Sequence, residues 1–435
     1  EIPLRLVGSE MCIRDSIKTH QIVRLYQKRI TTQRFHHSLM SLLKVTLRIH
    51  TQSDHQTSRQ QMNDFFKCRQ RLFRTEPKHI GKQGTCKHTR TLLQQSECLC
   101  RICFQTATLH FSLPNCICLT VEYVHQLFQI FESRFTSSHA FTSIETSPEY
   151  ADPARLTWLK QAGVARISIG IQSFLNEELT ALKRRPRQDT INQALETIRK
   201  IEFPFFNIDL IYGIKGQTVD SFLYSLEQAL LFQPNELFIY PLYVRQGTAI
   251  TERESDDVCF RMYCAARDLL KDRGFLQTSM RRFIHHPSTD AEISCGDEVM
   301  LSCGSGGRSY LGHLHYATRY TVSQHCIAGE IDDYMGTADF TVARNGFILS
   351  QEERRQRFII KNLMYYMGLD KAEYERRFGE SPDDIPLFRQ LAERQWIENT
   401  DDRICLTSEG MGYSDYIGQL FITPEIRGLM ETYSY

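Results

Sequence analysis

From about residue 120 the apolar positions of the chain alternate between two rhythms. Val124, Leu127, Phe128 and Phe131 form a stripe at helical spacing. Asp152-Pro153 places an N-cap before a proline at the first helical position, and Gly163 closes that helix. Residues 164–171 then form an apolar run that predicts a first strand. Asp189 is expected to cap a helix with Ile191, Ala194, Leu195 and Ile198 on one face. Residues 206–212 predict a second strand. Thr218 starts a helix carrying Phe222, Leu226, Ala229 and Leu230, and residues 237–242 predict a third strand. Helix and strand alternating at this spacing argue for an α/β chain whose βα units build a parallel sheet or barrel.

Beyond Gly247-Thr248 the pattern predicts a helix over 258–270 and an irregular segment over 303–310. Residues 350–435 are helical in pattern, with a short strand over 403–407 before Gly410. That order of helix, helix and hairpin predicts a small, mostly helical, winged-helix-like module. No internal repeat or low-complexity tract interrupts it.

Two stretches pair as a candidate ligand edge: Arg166-Ile-Ser-Ile-Gly-Ile-Gln-Ser-Phe174 and Asn207-Ile-Asp-Leu-Ile-Tyr-Gly-Ile-Lys-Gly-Gln-Thr218. Each is an apolar run ending in polar and glycine residues before a helix, as expected at the ligand-facing end of a parallel sheet. Gln172 offers an amide that can both donate and accept. Asp209 sits inside an apolar strand, where a carboxylate is costly unless paired or bound to a ligand. Arg184 lies in a basic run at a helix end, and Glu145 at the end of a further strand-like stretch.

Composition divides the chain. Residues 1–118 hold 19 Lys and Arg against 7 Asp and Glu, while the remainder holds 33 against 44. A basic arm of this kind is compatible with nucleic-acid binding. The rest of its composition argues otherwise. It has one alanine, three glycines, eight of the 14 cysteines and eight of the 15 histidines, unlike a folded domain or a disordered arm. Its first 16 residues resemble a translated sequencing adapter, and the expectation for 1–118 is sequence that is non-native, adapter followed by an out-of-frame stretch, or disordered. No run of 18 apolar residues predicts a membrane span. No basic region followed by an apolar core predicts secretion, so thiols in a reducing, cytoplasmic setting are expected.

Taken in order, Glu145-Thr-Ser-Pro148, Gly163 through Phe174, Leu182-Lys-Arg184, Asp209-Leu-Ile-Tyr-Gly213 with Gln217-Thr218, and Gly247-Thr248 resemble a known pattern. It is that of the radical S-adenosylmethionine family of oxygen-independent coproporphyrinogen III oxidase and its relatives. The resemblance runs from about residue 119 to 435 and continues in Gly304-Ser-Gly-Gly-Arg-Ser-Tyr310, Leu349-Ser-Gln-Glu-Glu353, Gly368-Leu-Asp370 and Leu406-Thr-Ser-Glu-Gly410. It implies a partial (β/α)6 barrel over 119–255 with its N-terminal strands missing, a region of barrel completion and glycine-rich loop over 256–345, and a C-terminal helical module over 346–435. It implies S-adenosylmethionine and a [4Fe–4S] cluster as cofactors, with Glu145, Gln172, Arg184 and Asp209 holding the former. It further implies a small-molecule substrate, a tetrapyrrole or another organic molecule, and an electron donor such as flavodoxin or ferredoxin. Carboxylates suit ribose hydroxyls and an ammonium, and arginine suits a carboxylate.

The sequence departs from the family at the cluster. The family motif is Cys-x3-Cys-x2-Cys, and no such spacing occurs in the chain. The nearest thiols are Cys98, Cys100 and Cys103, with Cys116 and Cys118 beyond. No metal ligands are assigned to them, and the chain as written is expected to be inactive. Because relatives of this family carry haem, a haem- or tetrapyrrole-binding chaperone is the competing expectation, with His313, His315 and Tyr316 as candidate ligands.

Overall fold

A computed structural model describes residues 45–51, 107–113, 125–126, 128–129, 141–185, 188–244, 250–285, 299–303, 307–311, 313–317, 324–337 and 345–432. The stripe over 121–135 and the Gly247-Thr248 pair lie largely or wholly outside them, as do the cysteines up to Cys118.

The first strands are β1 (Val45–Thr51) and β2 (Ala107–Leu113), inside the region where no element was expected. They pair antiparallel with each other, and β2 runs parallel to β3 (Phe141–Thr146). Then β4 (Arg166–Gln172), β5 (Phe205–Tyr212) and β6 (Glu236–Pro241) continue the parallel run. The sheet ends antiparallel in β7 (Leu276–Gln277) and β8 (Arg282–Ile284). On its other side β9 (Val299–Cys303), β10 (Arg308–Leu311), β11 (Leu314–Ala317) and β12 (Asn345–Ile348) add an antiparallel meander. Among the described residues these form a mixed sheet of 12 strands in the order β12-β11-β10-β9-β1-β2-β3-β4-β5-β6-β8-β7. Residues 303–310, expected to be irregular, thus supply the end of one strand and most of another; cross-strand pairing decides there, and local glycine content does not.

The helices between the strands start where their caps dictate. α1 (Pro153–Gln161) begins after Asp152, whose carboxylate accepts from the Arg155 amide at 2.9 Å. Gly163 follows at φ 84°, a left-handed turn that leads into β4. α2 (Asn176–Ala181) and α3 (Gln188–Ile201) come next. Asp189 proves to lie in the first turn of α3, where its charge suits the helix dipole, and not at the cap. Thr218 caps α4 (Val219–Leu230) through a reciprocal pair with Ser221, and Ser255 caps α5 (Asp256–Asp272).

These helices cover one face of the parallel strands. Ile167, Ile169 and Ile171 of β4, Ile208 and Leu210 of β5, and Leu237 and Ile239 of β6 pack with Leu195, Ile198, Phe222, Leu226 and Met262 in one core. The opposite face is polar. β4 reads Arg-Ile-Ser-Ile-Gly-Ile-Gln, so every second residue, Arg166, Ser168 and Gly170, points away from the helices. Register places Ser143 beside Arg166, Glu145 beside Ser168, Ser168 beside Asn207, and Asn207 beside Glu236. The strands are therefore buried on both faces, as apolar runs suggest, but one of those faces is polar.

The far end of that polar face is tied by charge. Glu236 accepts from Arg166 at 2.5 Å and from Arg282 at 2.5 Å, and Arg166 also donates to Ser143 at 3.1 Å. Burial pushes the Glu236 carboxyl up, but the two guanidinium charges outweigh it and hold the group below its ordinary range.

After α6 (Gln324–Gly336), the C-terminal part has its own core. α7 (Gln351–Leu363), α8 (Lys371–Phe378) and α9 (Pro386–Glu393) surround β13 (Leu369–Asp370), β14 (Ile397–Asn399) and β15 (Arg403–Leu406). The strands form a three-stranded sheet in the order β13-β15-β14. α10 (Ser408–Gly412), α11 (Ser414–Leu420) and α12 (Pro424–Thr432) follow. Arg281 joins the two parts, donating to Asp415 at 2.7 Å and to Tyr243 at 2.6 Å, while the Tyr243 hydroxyl donates to Asp415 at 2.7 Å.

Replacing Glu236 with Gln leaves two buried guanidinium groups short of their counter-charge. The expected cost is about 3–5 kcal/mol, read from urea unfolding. A carboxylate held below its unfolded value stabilises fully above the ordinary glutamate pKa of about 4.3 and loses that contribution as the pH falls through the folded value. The acid-side loss of stability should therefore be smaller in E236Q than in the unaltered chain.

Candidate functional site

The polar face gathers its groups around Gly170, near the end of β4. Between Gly170 and Gln172 the register with β5 shifts by a bulge, and Gln172 takes φ 75°. A glutamine held in the left-handed region costs on the order of 1–3 kcal/mol and persists only where its surroundings impose it. The consequence is geometric. A Cβ on Gly170 would lie 2.5 Å from the Gln172 Nε2, so the amide sits in the space that the glycine leaves. Only 1% of Gln172 is exposed, and neither its Oε1 nor its Nε2 has a hydrogen-bond partner among the described residues.

The other three expected residues come to the same place. Arg184, in the turn after α2, donates to the Gly170 carbonyl at 3.2 Å. Asp209 is the register partner of Gly170 on β5. It is 3% exposed, and its two oxygens accept from Asn207 at 2.6 Å and Ser168 at 3.2 Å. Glu145 lies opposite Ser168 on β3 and is half-buried. Arg166 feels the charges of Glu236, Asp209 and Glu145 together, which keep it protonated against burial. Two carboxylates, a guanidinium and an amide thus share one patch. It can meet a ligand that carries both positive charge and hydroxyl or amide groups.

Two features were missed from the sequence. The first is the trio Ser168, Asn207 and Arg166, signalled by the strict alternation of β4 but hidden by reading it as an apolar run. The second is a bracket below the strand ends. Glu178, 5% exposed, accepts from Ser173 at 2.6 Å, Ser221 at 2.6 Å and Gln217 at 2.9 Å. Gln217 in turn accepts from the Gly213 amide at 2.8 Å. This network locks the loop after β4 to the loop after β5, and so fixes Gln172 relative to Asp209. A pocket of about 410 Å³ between Lys371, Asp383, Phe388 and Asn399 belongs to the C-terminal part and not to this patch.

Comparisons with known proteins bear on the fold that carries this patch. The model of the radical SAM superfamily matches residues 110–229, and that of the HemN C-terminal domain matches residues 349–412. Over these residues the chain is similar to the radical SAM superfamily, and it is similar to oxygen-independent coproporphyrinogen III oxidase and to haem chaperones. It is 24% identical to the heme chaperone HemW of Bacillus subtilis over 291 residues, covering 62% of this chain and 72% of that protein. It is 24% identical over 319 residues to the oxygen-independent coproporphyrinogen III oxidase of Escherichia coli, covering 67% and 68%. Its fold is similar to the solved structure of coproporphyrinogen III oxidase, HemN, from Escherichia coli, a radical SAM enzyme, with a TM-score of 0.61 and 20% identity over 80% of this chain and 85% of that one. The cofactors of HemN-type radical SAM proteins are S-adenosylmethionine and a [4Fe–4S] cluster.

Gly170→Ala should displace the Gln172 amide while leaving the fold in place, because the obstructed atom ends a flexible side chain. Gln172→Gly removes both the positive-φ strain and the unpartnered amide, so its midpoint of thermal unfolding should stay level or rise. A loss of more than about 2 kcal/mol in Gln172→Gly would show that the amide is a structural prop, since an unpartnered buried amide itself costs about 1–3 kcal/mol.

Proposed function

We propose that this chain binds S-adenosylmethionine on the polar face of its parallel sheet, through Glu145, Gln172, Arg184 and Asp209. The carrying observation is the buried, strained and unpartnered Gln172 amide beside Asp209. Carboxylates accept from ribose hydroxyls or the ammonium, Arg184 pairs with the methionine carboxylate, and Gln172 bridges. The polar face is then the inner surface of an incomplete (β/α)6 barrel over 119–255, completed by 256–345. Residues 346–435 form a winged-helix-like module. The substrate class is a small organic molecule, with a tetrapyrrole the first to test because two sets of relatives are named for tetrapyrrole-related roles.

The residues present do not fit the second cofactor. The superfamily's cluster supplies the electron that converts bound S-adenosylmethionine into a 5′-deoxyadenosyl radical, and it needs three thiolates at Cys-x3-Cys-x2-Cys spacing. No such spacing occurs in the sequence. No radical step is therefore derived, and the chain as written is a binding protein without reductive cleavage.

A second reading is a haem- or tetrapyrrole-binding chaperone. Burial, aided by Arg357 and Arg308, pulls His315 down to about 4, which keeps the imidazole in the neutral, metal-binding form at neutral pH. Its ring lies parallel on Tyr310 at 4.2 Å, with Arg357 over the Tyr310 ring at 3.9 Å.

Equilibrium dialysis should show S-adenosylmethionine binding that Asp209→Asn weakens at least about tenfold, the worth of one charge-assisted hydrogen bond. After reconstitution with iron and sulfide, the chain should show no cluster absorbance near roughly 400 nm and form no 5′-deoxyadenosine. A stoichiometric, cleavage-competent cluster would refute this reading. For the second reading, haem titration should give a Soret shift that His315→Ala abolishes; an unchanged shift removes His315 as its ligand.

A further inference from the structure

Asp209 is held by a closed ring of hydrogen bonds that lies on the polar face below the proposed ligand position. Asn207 donates one amide hydrogen to Asp209 Oδ1 at 2.6 Å and the other to Ser168 Oγ at 2.7 Å. The Ser168 hydroxyl donates to Asp209 Oδ2 at 3.2 Å. Asn207 is 0%, Ser168 3% and Asp209 3% exposed. Register explains the contact: Asn207 and Ser168 are cross-strand partners, and Asn207 and Asp209 are two apart on β5, hence on one face. The remaining amide atom, Asn207 Oδ1, has no partner among the described residues. Both Asn207 hydrogens are thus committed to keeping one carboxylate in place.

We propose that Asn207, assisted by Ser168, is a positioning residue that holds the Asp209 carboxylate ionised and correctly turned to receive S-adenosylmethionine. The proposal rests on the reading that Asp209 binds that molecule. A carboxylate accepting two hydrogen bonds in a buried site keeps its charge, whereas one stripped of them is pushed up by desolvation. Each bond also fills a lone pair on a different oxygen, which stops rotation about the terminal side-chain torsion. The other charges facing Asp209 are Arg166 from β4, itself bound to Glu236, and, across β4, Glu145. Arg166 alone does not orient the carboxylate, because its described bonds go to Glu236 and Ser143.

The test is calorimetric titration of the full chain with S-adenosylmethionine between pH 5 and 7, below the ligand's amino-group titration at about 8. The proposal requires the hydrogen-bonded Asp209 carboxylate to keep its charge across this window in the unaltered chain, so affinity should be flat. Asn207→Leu should bind about tenfold more weakly at pH 7, the worth of a charge-assisted bond. It should also lose further affinity as the pH falls, because the unsupported carboxylate now takes up a proton within the window. Ser168→Ala should show the same trend to a smaller extent, and it carries the test if Asn207→Leu does not fold. A merely structural role would lower the unfolding temperature without adding pH dependence. If the unaltered chain does not bind, the parent reading fails and this proposal falls with it. If Asp209→Asn abolishes binding while Asn207→Leu and Ser168→Ala bind with unchanged, pH-flat affinity, the positioning role alone is overturned.

Discussion

Polar groups buried on the inner face of a sheet must find partners, and this requirement organises the molecule. Glu236 sits between Arg166 and Arg282 and ties β4, β6 and β8 together across β5. Removing a partner from such a buried set is far costlier than the net worth of any one pair. Strand register follows from it, since a slip of one residue would turn Arg166, Asn207 and Glu236 into the apolar helix layer and Ile167, Ile208 and Leu237 onto the polar face. With register set, Ser168, Asn207 and Asp209 close their own ring, and Asp209 arrives opposite Gly170.

Against that background Gln172 is the exception that carries information. Its neighbours on the polar face each have at least one described partner, yet both polar atoms of its amide are buried at a strained backbone position without one. Strain and a missing hydrogen bond together cost a few kcal/mol, a large share of a typical protein's stability. The Glu178 bracket is what allows the molecule to sustain it, because five side chains, Ser173 and Gln217 from the loops, Glu178 from α2 and Ser221 and Ser225 from α4, tie the two loops together. A rigid, unsatisfied amide is what the proposed ligand role requires.

Local signals made much of this legible. The caps at Asp152 and Thr218 stand where side-chain oxygens meet free helix amides, and the three parallel strands over 164–242 were visible from their β-branched and aromatic content. Gln172 and Asp209 stood out because a polar residue inside an apolar run is costly anywhere. Harder to see was the alternation inside those runs: isoleucine at every second position of β4 masked the Arg-Ser-Gly series between. The bulge was invisible, since nothing in the residues before Gln172 announces φ 75° for a glutamine. β9 and β12 were hidden because their pairing with β1 and β11 joins segments far apart in sequence, and Asp189 was misplaced by two residues because aspartate suits both a cap and a first turn.

The mismatch between the two cofactors follows from how each is held. The groups proposed to hold S-adenosylmethionine come from β3, β4, β5 and the turn after α2, all cemented by the helix-covered core and by the polar face, so they persist as long as the sheet folds. A cluster depends on three thiolates at fixed spacing on one loop, and a local change in that loop removes it without touching the sheet. On the proposed reading, a chain without the cluster would bind S-adenosylmethionine through Glu145, Gln172, Arg184 and Asp209, and the affinity would then depend on the rigidity that the proposed Asn207 contact gives to Asp209.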